Sequence, residues 1–269
     1  MYTVSISVLL GVCTMLGLAL PDVMGWGWSV FFGILVFGVS QGVATWQVQK
    51  RAKAVVSEIQ NIMAAGQKQI QAKQMRWQMR PSGSPQSMMA EIMRDVKVFV
   101  KDAIAAAEAL RKYEKWAPGM NRQIATIQFG LYWQIKDFEK VDELLPKIFL
   151  LDPMLPAMKM ARMYMLNKPS EEIAKVYEKA VRRLRYNQNV PLAAVWSWIL
   201  VQRKDVDGAF KVLVHALENS DNETLKANRD NLANNRVAHF SNTALGEQWY
   251  GLLLEEPRMH MPRQRMQWR

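Results

Sequence analysis

The first 46 residues contain no lysine or arginine, and Asp22 is their one charged residue. They form two apolar runs, 3–20 and 25–46, which are joined by the segment Pro-Asp-Val-Met-Gly. At about 18 to 22 residues, each run is long enough to cross a hydrocarbon core of about 30 Å as an α-helix. Because backbone polar groups in lipid must be satisfied within the segment, a helix is the expected structure. Residues 1–46 are therefore predicted to form a transmembrane helical hairpin in the lipid bilayer.

Two further features bear on this hairpin. Aromatic side chains, which favour the headgroup zone, stand near the predicted helix ends: Tyr2, Trp26, Trp28 and Trp46. Gly38 and Gly42 have the G-x-x-x-G spacing that allows close helix approach or dimerisation. A cleaved secretory signal peptide is the alternative for the first run, although the positively charged segment that such a signal needs is missing. The sequence leaves open whether the first run is retained.

A basic cluster, Lys50, Arg51 and Lys53, follows the second apolar run directly. The positive-inside rule places such a cluster in the cytoplasm, so both termini are predicted to be cytoplasmic. The expected location is the inner membrane of a bacterium. The three side chains are also candidate membrane-surface residues that contact anionic headgroups, with a solvated helix face as the alternative.

Residues 47–80 are predicted to form a basic helical stalk that continues out of the membrane. Seven of its residues are basic and one, Glu58, is acidic. Its apolar positions alternate in steps of four and three, which is the pattern of a short coiled-coil seam: Val48, Ala52, Val55, Ile59, Ile62 and Gly66. The seam either packs on the following domain or mediates homo-oligomerisation. Residues 81–85, rich in Pro, Gly and Ser, are the expected linker.

The remainder of the chain indicates an all-α fold, because good helix formers dominate and period-two runs are few. Residues 86–120 are predicted to form one long amphipathic helix, which Pro118 and Gly119 terminate. Cys13 is the one cysteine, so no intrachain disulfide can form.

A helical-hairpin pattern recurs three times in the central region. The segments starting at Lys136, Lys168 and Lys204 align, which places Val141, Ile173 and Ala209 in register. Offsets of 32 and 36 residues between these three positions bracket the period of about 34 that is typical of helix-turn-helix repeats.

The second of these units carries the pattern most fully, with Ala161, Tyr164, Ile173, Tyr177 and Ala180. Residues 121–222 thus resemble three degenerate tetratricopeptide repeats. Ser197 and Leu200 depart from the family pattern in the third unit. The resemblance implies an α-solenoid of helical hairpins. Residues 223–256 are then expected to form capping helices, with one helix over 241–256, and residues 257–269 form a basic tail.

In tetratricopeptide arrays the inner face of each first helix commonly holds a peptide of a partner protein. Carrying that register onto this chain predicts a protein-binding groove with ten residues: Gln123, Thr126, Trp133, Gln134, Met158, Arg162, Met165, Trp198, Val201 and Gln202. Trp, Met and Arg are enriched at interface anchors. Burial between the hairpins is the alternative for Trp198 and Met165.

No phosphate-binding loop, dinucleotide fingerprint or nucleophile elbow occurs, and the three histidines lack metal-ligand spacing. The sequence therefore predicts no enzyme, no metal site and no cofactor. The favoured hypothesis is a membrane-anchored adaptor or scaffold that binds another protein on the cytoplasmic face. The alternatives are a structural subunit of a larger membrane complex and, less favoured, a membrane-tethered nucleic-acid binder.

Overall fold

The computed structural model of the chain describes residues 2–20, 25–80, 84–116, 119–150 and 152–257. Across these ranges every regular element is a helix and none is a strand, so the all-α prediction is confirmed. The predicted turn at 21–24, most of the predicted linker, and the basic tail from residue 258 onward lie outside the described residues.

The chain divides into two compact units, with the boundary between Ile148 and Phe149. The helices of the first unit are α1 (Tyr2–Ala19), α2 (Trp26–Met79), α3 (Pro85–Glu108), a 3-10 helix (Ala109–Tyr113), α4 (Met120–Gln134) and α5 (Phe138–Leu144). Those of the second are α6 (Met154–Met165), α7 (Ser170–Val181), α8 (Val190–Gln202), α9 (Val206–Glu218), α10 (Glu223–Ala233), two 3-10 helices (Val237–His239 and Thr243–Leu245) and α11 (Glu247–Tyr250). The boundary falls between the first and second predicted repeats.

Helices α1 and α2 are both long and apolar enough to cross a membrane. They pack against each other at a pair of glycines, where a Cβ on Gly11 would lie 2.8 Å from the carbonyl oxygen of Gly33. The reciprocal distance, from a Cβ on Gly33 to the carbonyl oxygen of Gly11, is 2.9 Å. The expectation that Gly38 and Gly42 bring these two helices together is wrong, because no atom of the part of the chain that the structure describes lies within 4 Å of a Cβ at either position.

Helix α2 is a single helix of 54 residues that contains both the second apolar run and the predicted stalk. The stalk part packs on α3, and Ala52 and Ile59 share one hydrophobic cluster with Val100 and Ala103. At Gly66 the ring of Phe99 approaches so closely that a Cβ there would lie 2.5 Å from it. The apolar stripe of the stalk is therefore covered by α3 of the same chain.

Ion pairs join the same two helices further along. The Lys73 ammonium lies 2.5 Å from a carboxylate oxygen of Asp95 and 2.8 Å from one of Glu91. Hydrogen bonds to Asp95 and then to Glu91 raise the pKa of Lys73 above its ordinary value. Since the Lys73 side chain is 40 % exposed, solvent screens these contacts, and the apolar seam contributes most of the stability.

Helix α8 is the centre of the second unit. Every residue from Val190 to Leu200 is buried, and α6, α7, α9, α10 and α11 all pack on this helix. A helix that is apolar on every side needs such complete coverage in water. Ser197 is fully buried, and its hydroxyl donates to the Ala193 carbonyl oxygen at 2.6 Å. That bond within the helix removes the cost of burying the hydroxyl.

The predicted continuous helix over 241–256 is wrong. Residues 243–245 form a 3-10 turn, and α11 spans only Glu247–Tyr250. Gly246 separates the two with φ 60° and ψ −129°, a conformation that interrupts a helix and that glycine adopts without steric penalty. Two of the expected core residues, Trp249 and Leu252, are nevertheless almost completely buried.

Candidate functional site

Helices α4, α6, α8 and α10 end in the same turn. In each, one residue in the left-handed region follows the helix, with φ between 52° and 65°: Lys136, Asn167, Lys204 and Asn235. After α8, the Lys204 N–H donates to the Val201 carbonyl and the Asp205 N–H to the Leu200 carbonyl, at 3.0 and 2.9 Å. This is the Schellman arrangement, which satisfies the last carbonyls of a helix and reverses the chain. The four turns are 31, 37 and 31 residues apart.

Two of the second helices, α5 and α9, start alike, and α5, α7 and α9 bury the same register position. Asp137 and Asp205 cap α5 and α9, where their carboxylates accept the N–H groups of Lys140 and Gly208. The three positions placed in register by the sequence, Val141, Ile173 and Ala209, are all 0 % exposed. The inward face of each second helix was therefore correctly located.

Tyr177 occupies the position four residues after Ile173. It is 7 % exposed, and its ring lies 6.3 Å from that of Trp196. Its hydroxyl is buried and has no hydrogen-bond partner among the described residues. Burial raises the pKa of Tyr177 to about 12, so the phenol stays neutral at physiological pH.

The first unit holds four of the ten predicted groove residues, all on α4. Gln123 and Gln134 are exposed, and Thr126 is half-buried. Trp133 is only 2 % exposed and stacks on Phe129 with 5.9 Å between ring centroids. Three of the four residues can therefore reach a partner, whereas Trp133 belongs to the hydrophobic core.

The other six predicted groove residues lie on α6 and α8 of the second unit. Met158 and Trp198 are buried, with 9 % and 7 % of their surfaces exposed. The half-buried residues are Arg162, Met165 and Val201, and Gln202 is exposed. Of the two residues for which burial was the alternative prediction, Trp198 is buried and Met165 is half-buried. Met158 is buried as well.

Trp198 lies in an aromatic cluster that the sequence did not reveal. Its ring meets Tyr164 and Trp249 edge to face, at 5.2 and 5.8 Å. The Glu255 carboxylate accepts one hydrogen bond from the Trp198 indole and one from the Trp249 indole, each 2.8 Å long. The C-terminal segment thus covers part of the surface predicted as a groove.

Asparagine side chains form a second buried arrangement that sequence reasoning missed. Asn228 donates to Asn242, which in turn donates to the Ala194 carbonyl of α8, at 2.8 and 2.9 Å. Asparagine is frequent from residue 219 to 242, and α10 occupies much of this segment. Asn222 caps α10 at its start, where its side chain accepts the Leu225 N–H.

The candidate membrane-surface residues follow the apolar part of α2. Lys50, Arg51 and Lys53 are exposed, and the Lys50 ammonium lies 5.4 Å from the centre of the Trp46 ring. Charged groups and an interfacial aromatic ring therefore occupy neighbouring turns of one helix, as expected where a helix leaves a membrane.

The residues that follow α3 contact the start of α1. No sequence signal indicated this contact. The Tyr2 N–H donates to the Lys115 carbonyl at 2.8 Å, and the Thr3 hydroxyl donates to the Trp116 carbonyl. The Tyr2 and Trp116 rings meet edge to face at 5.4 Å. Because α3 runs back along α2, it brings further aromatic and basic side chains to the level of Lys50 and Arg51.

Among the described residues, no group of three or more His, Cys, Asp or Glu side chains is placed to hold a metal ion. The chain matches no family model, no curated protein and no solved structure. Its functional assignment rests on its own sequence and geometry.

Proposed function

We propose that the chain is a membrane-anchored adaptor, whose helical hairpins bind another protein on the cytoplasmic face of a bacterial inner membrane. The observation that carries the proposal is the turn geometry repeated after α4, α6, α8 and α10. One turn used four times at comparable spacing is typical of helical repeats, which commonly serve as binding scaffolds.

The neighbour relations in the second unit support a tetratricopeptide-like solenoid. Helix α6 packs on α7 and α8, α7 packs on α8, and α9 packs on α10. In a solenoid each hairpin buries its apolar face against the next one, and this sequence of contacts is what such stacking produces. The segment after α10 then acts as the cap, because α11 packs on α8 and buries Trp249 against Trp198.

The first unit supports the membrane anchor. Along α1 the side chains on the side away from α2 are large, apolar and exposed, as at Leu9 and Leu10. The buried positions of the same helix are small: Thr3, Ser7, Gly11 and Ala19. Helices that pack in lipid typically have small residues at the helix–helix contact and large apolar residues on the exposed side. The basic cluster after α2 favours a cytoplasmic location for the rest of the chain.

The exposed ends of the first helices are the proposed partner-binding positions. Gln134 and Gln202 are the last residues of α4 and α8, and both are exposed. Glu143 on α5 and Lys211 on α9 are exposed on second helices, so they provide matched controls.

A photo-reactive amino acid introduced singly at these four positions of the full-length protein tests the proposal in native membranes. We expect one discrete protein adduct from Gln134 and Gln202 and at least fivefold less of it from Glu143 and Lys211. Equal adducts from all four positions, or no protein adduct from any, would reject the adaptor. The same amino acid is also introduced at Val39, an exposed apolar position of α2, and an adduct from that position alone would favour a structural subunit of a larger membrane complex.

A further inference from the structure

A cleft of about 430 Å³ lies where α1, the apolar end of α2 and the segment after α3 meet. Its basic lining residues are Arg51 and Lys112, and its apolar lining includes Ile6, Ala44 and Val48. None of the described residues that line it is an Asp or a Glu. We propose that this cleft binds one anionic glycerophospholipid, with the phosphate between Arg51 and Lys112 and an acyl chain along α1 and α2.

The level of the cleft fits a lipid headgroup. Trp46 marks the end of the apolar part of α2, and Arg51 follows five residues later. At about 1.5 Å per residue, Arg51 lies roughly 8 Å beyond Trp46 along the helix axis. The polar layer on each side of the hydrocarbon core is about 5 to 8 Å thick. A phosphate at Arg51 is therefore at its ordinary depth, and Ile6 and Ala44 lie on the hydrocarbon side.

The charges of the cleft suit a phosphate. No described carboxylate forms an ion pair with Arg51 or Lys112. The Lys112 ammonium lies 5.1 Å from the centre of the Tyr113 ring, a contact that leaves its charge available. Arginine offers a forked donor for phosphate oxygens, and lysine adds a point charge. Because neither side chain is neutralised by a described carboxylate of the protein, both charges are available to a phosphate.

The wall of the cleft is held by hydrogen bonds to two main-chain carbonyl groups. The carbonyl groups of Lys115 and Trp116 are bonded to Tyr2 and Thr3, which ties the α3 segment to the first turn of α1. A bound lipid would contact both Arg51 of α2 and Lys112 of the 3-10 helix that follows α3. It would thereby stabilise the packing of these two segments. This inference rests on the proposed membrane anchor and assigns it a lipid preference.

Native mass spectrometry of the full-length protein from nanodiscs with equal fractions of phosphatidylglycerol and phosphatidylcholine tests the proposal. The wild type is expected to retain one phosphatidylglycerol molecule. The double variant Arg51→Gln, Lys112→Gln should lower the retained ratio of the two lipids about tenfold. The matched control Lys97→Gln, Lys101→Gln removes the same charge from exposed positions of α3, outside the cleft, and should stay within twofold of the wild type.

A charge-preserving variant, Arg51→Lys with Lys112→Arg, distinguishes loss of charge from misfolding. It should retain most of the preference for phosphatidylglycerol. If the double variant and its control lost the lipid preference equally, general surface charge would explain the effect. That result would overturn the proposed lipid site in the cleft. Displacement of the lipid by millimolar glycerol phosphate would overturn it too, because the site would then take a soluble phosphate ester. Extraction of the wild type from membranes by alkaline carbonate would instead reject the anchor itself.

Discussion

The hairpins α1–α2 and α8–α9 each consist of two consecutive helices, but they differ in which side chains they bury and which they expose. In α1–α2 the contact is made by Gly11 and Gly33, and large apolar side chains such as Leu9 and Ile34 point outward. In α8–α9 the buried side chains are large and apolar, and Ile199 and Leu213 are completely buried. In the proposed membrane location, lipid offers no hydrophobic gain on helix association, so close backbone approach has to stabilise the first hairpin. Water does offer that gain, and the second hairpin depends on it.

The largest effect is expected where a large buried side chain is removed from the second unit. Trp249→Ala deletes a fully buried ring that packs on Trp198 and bonds to Glu255. Such truncations cost about 3 to 5 kcal/mol. Hydrogen exchange of the intact protein in detergent should therefore show a strong loss of protection in α8 and in 247–255.

The control for this change is Tyr186→Ala, because Tyr186 is 63 % exposed. It should leave protection in the second unit unchanged. Loss of protection of similar size in both variants would contradict the account of a core built around α8.

The glycine contact of the first hairpin should be the next most sensitive point. Gly11→Leu places a side chain where a Cβ alone already meets the Gly33 carbonyl oxygen at 2.8 Å. Overpacking of this kind costs about 1 to 3 kcal/mol. Titration with a denaturing detergent, followed by tryptophan fluorescence, should show the α1–α2 transition at a lower midpoint.

Gly17→Leu is the matched change on the same helix, since no atom lies within 4 Å of a Cβ there. Its midpoint should equal that of the wild type. If both variants shifted alike, helix propensity rather than close approach would explain the result. The comparison between the two hairpins would then lose its basis.

The smallest effect, and one of opposite sign, is expected at Tyr177. Tyr177→Phe removes a buried hydroxyl that has no hydrogen-bond partner and keeps the ring beside Trp196. An unsatisfied buried polar group costs about 1 to 3 kcal/mol, so its removal should leave the second unit equally stable or more stable. Thermal unfolding monitored by circular dichroism checks this. A melting temperature lowered by several degrees would mean that the hydroxyl is bonded in the folded protein.

Local patterns carried most of the correct predictions. Apolar length located α1 and the start of α2, and period-three-and-four spacing located the stripe on α2 that α3 covers. The buried register at Val141, Ile173 and Ala209 followed from aligning the hairpins. Each of these signals lies within one helix or one turn, where the sequence and the structure are directly linked.

Most of the errors concern partners that are distant in the chain. Gly38 and Gly42 have a recognised spacing, but which face of a helix meets its neighbour depends on both helices, and Gly33 is the residue that meets α1. Trp198 was predicted to face a groove, and Glu255 and Trp249 cover it from more than 50 residues away. One glycine in a left-handed conformation, Gly246, interrupted the helix expected at the C-terminal end.

The central claim is that the chain passes the membrane twice and holds the helical units on one side. Single cysteines at Gly25, Lys53 and Lys211, in a Cys13→Ser background, test it by labelling bacterial spheroplasts with an impermeant maleimide. The account predicts labelling of Gly25→Cys in intact spheroplasts, and of Lys53→Cys and Lys211→Cys only after the membrane is opened. Labelling of Lys211→Cys in intact spheroplasts would contradict the account.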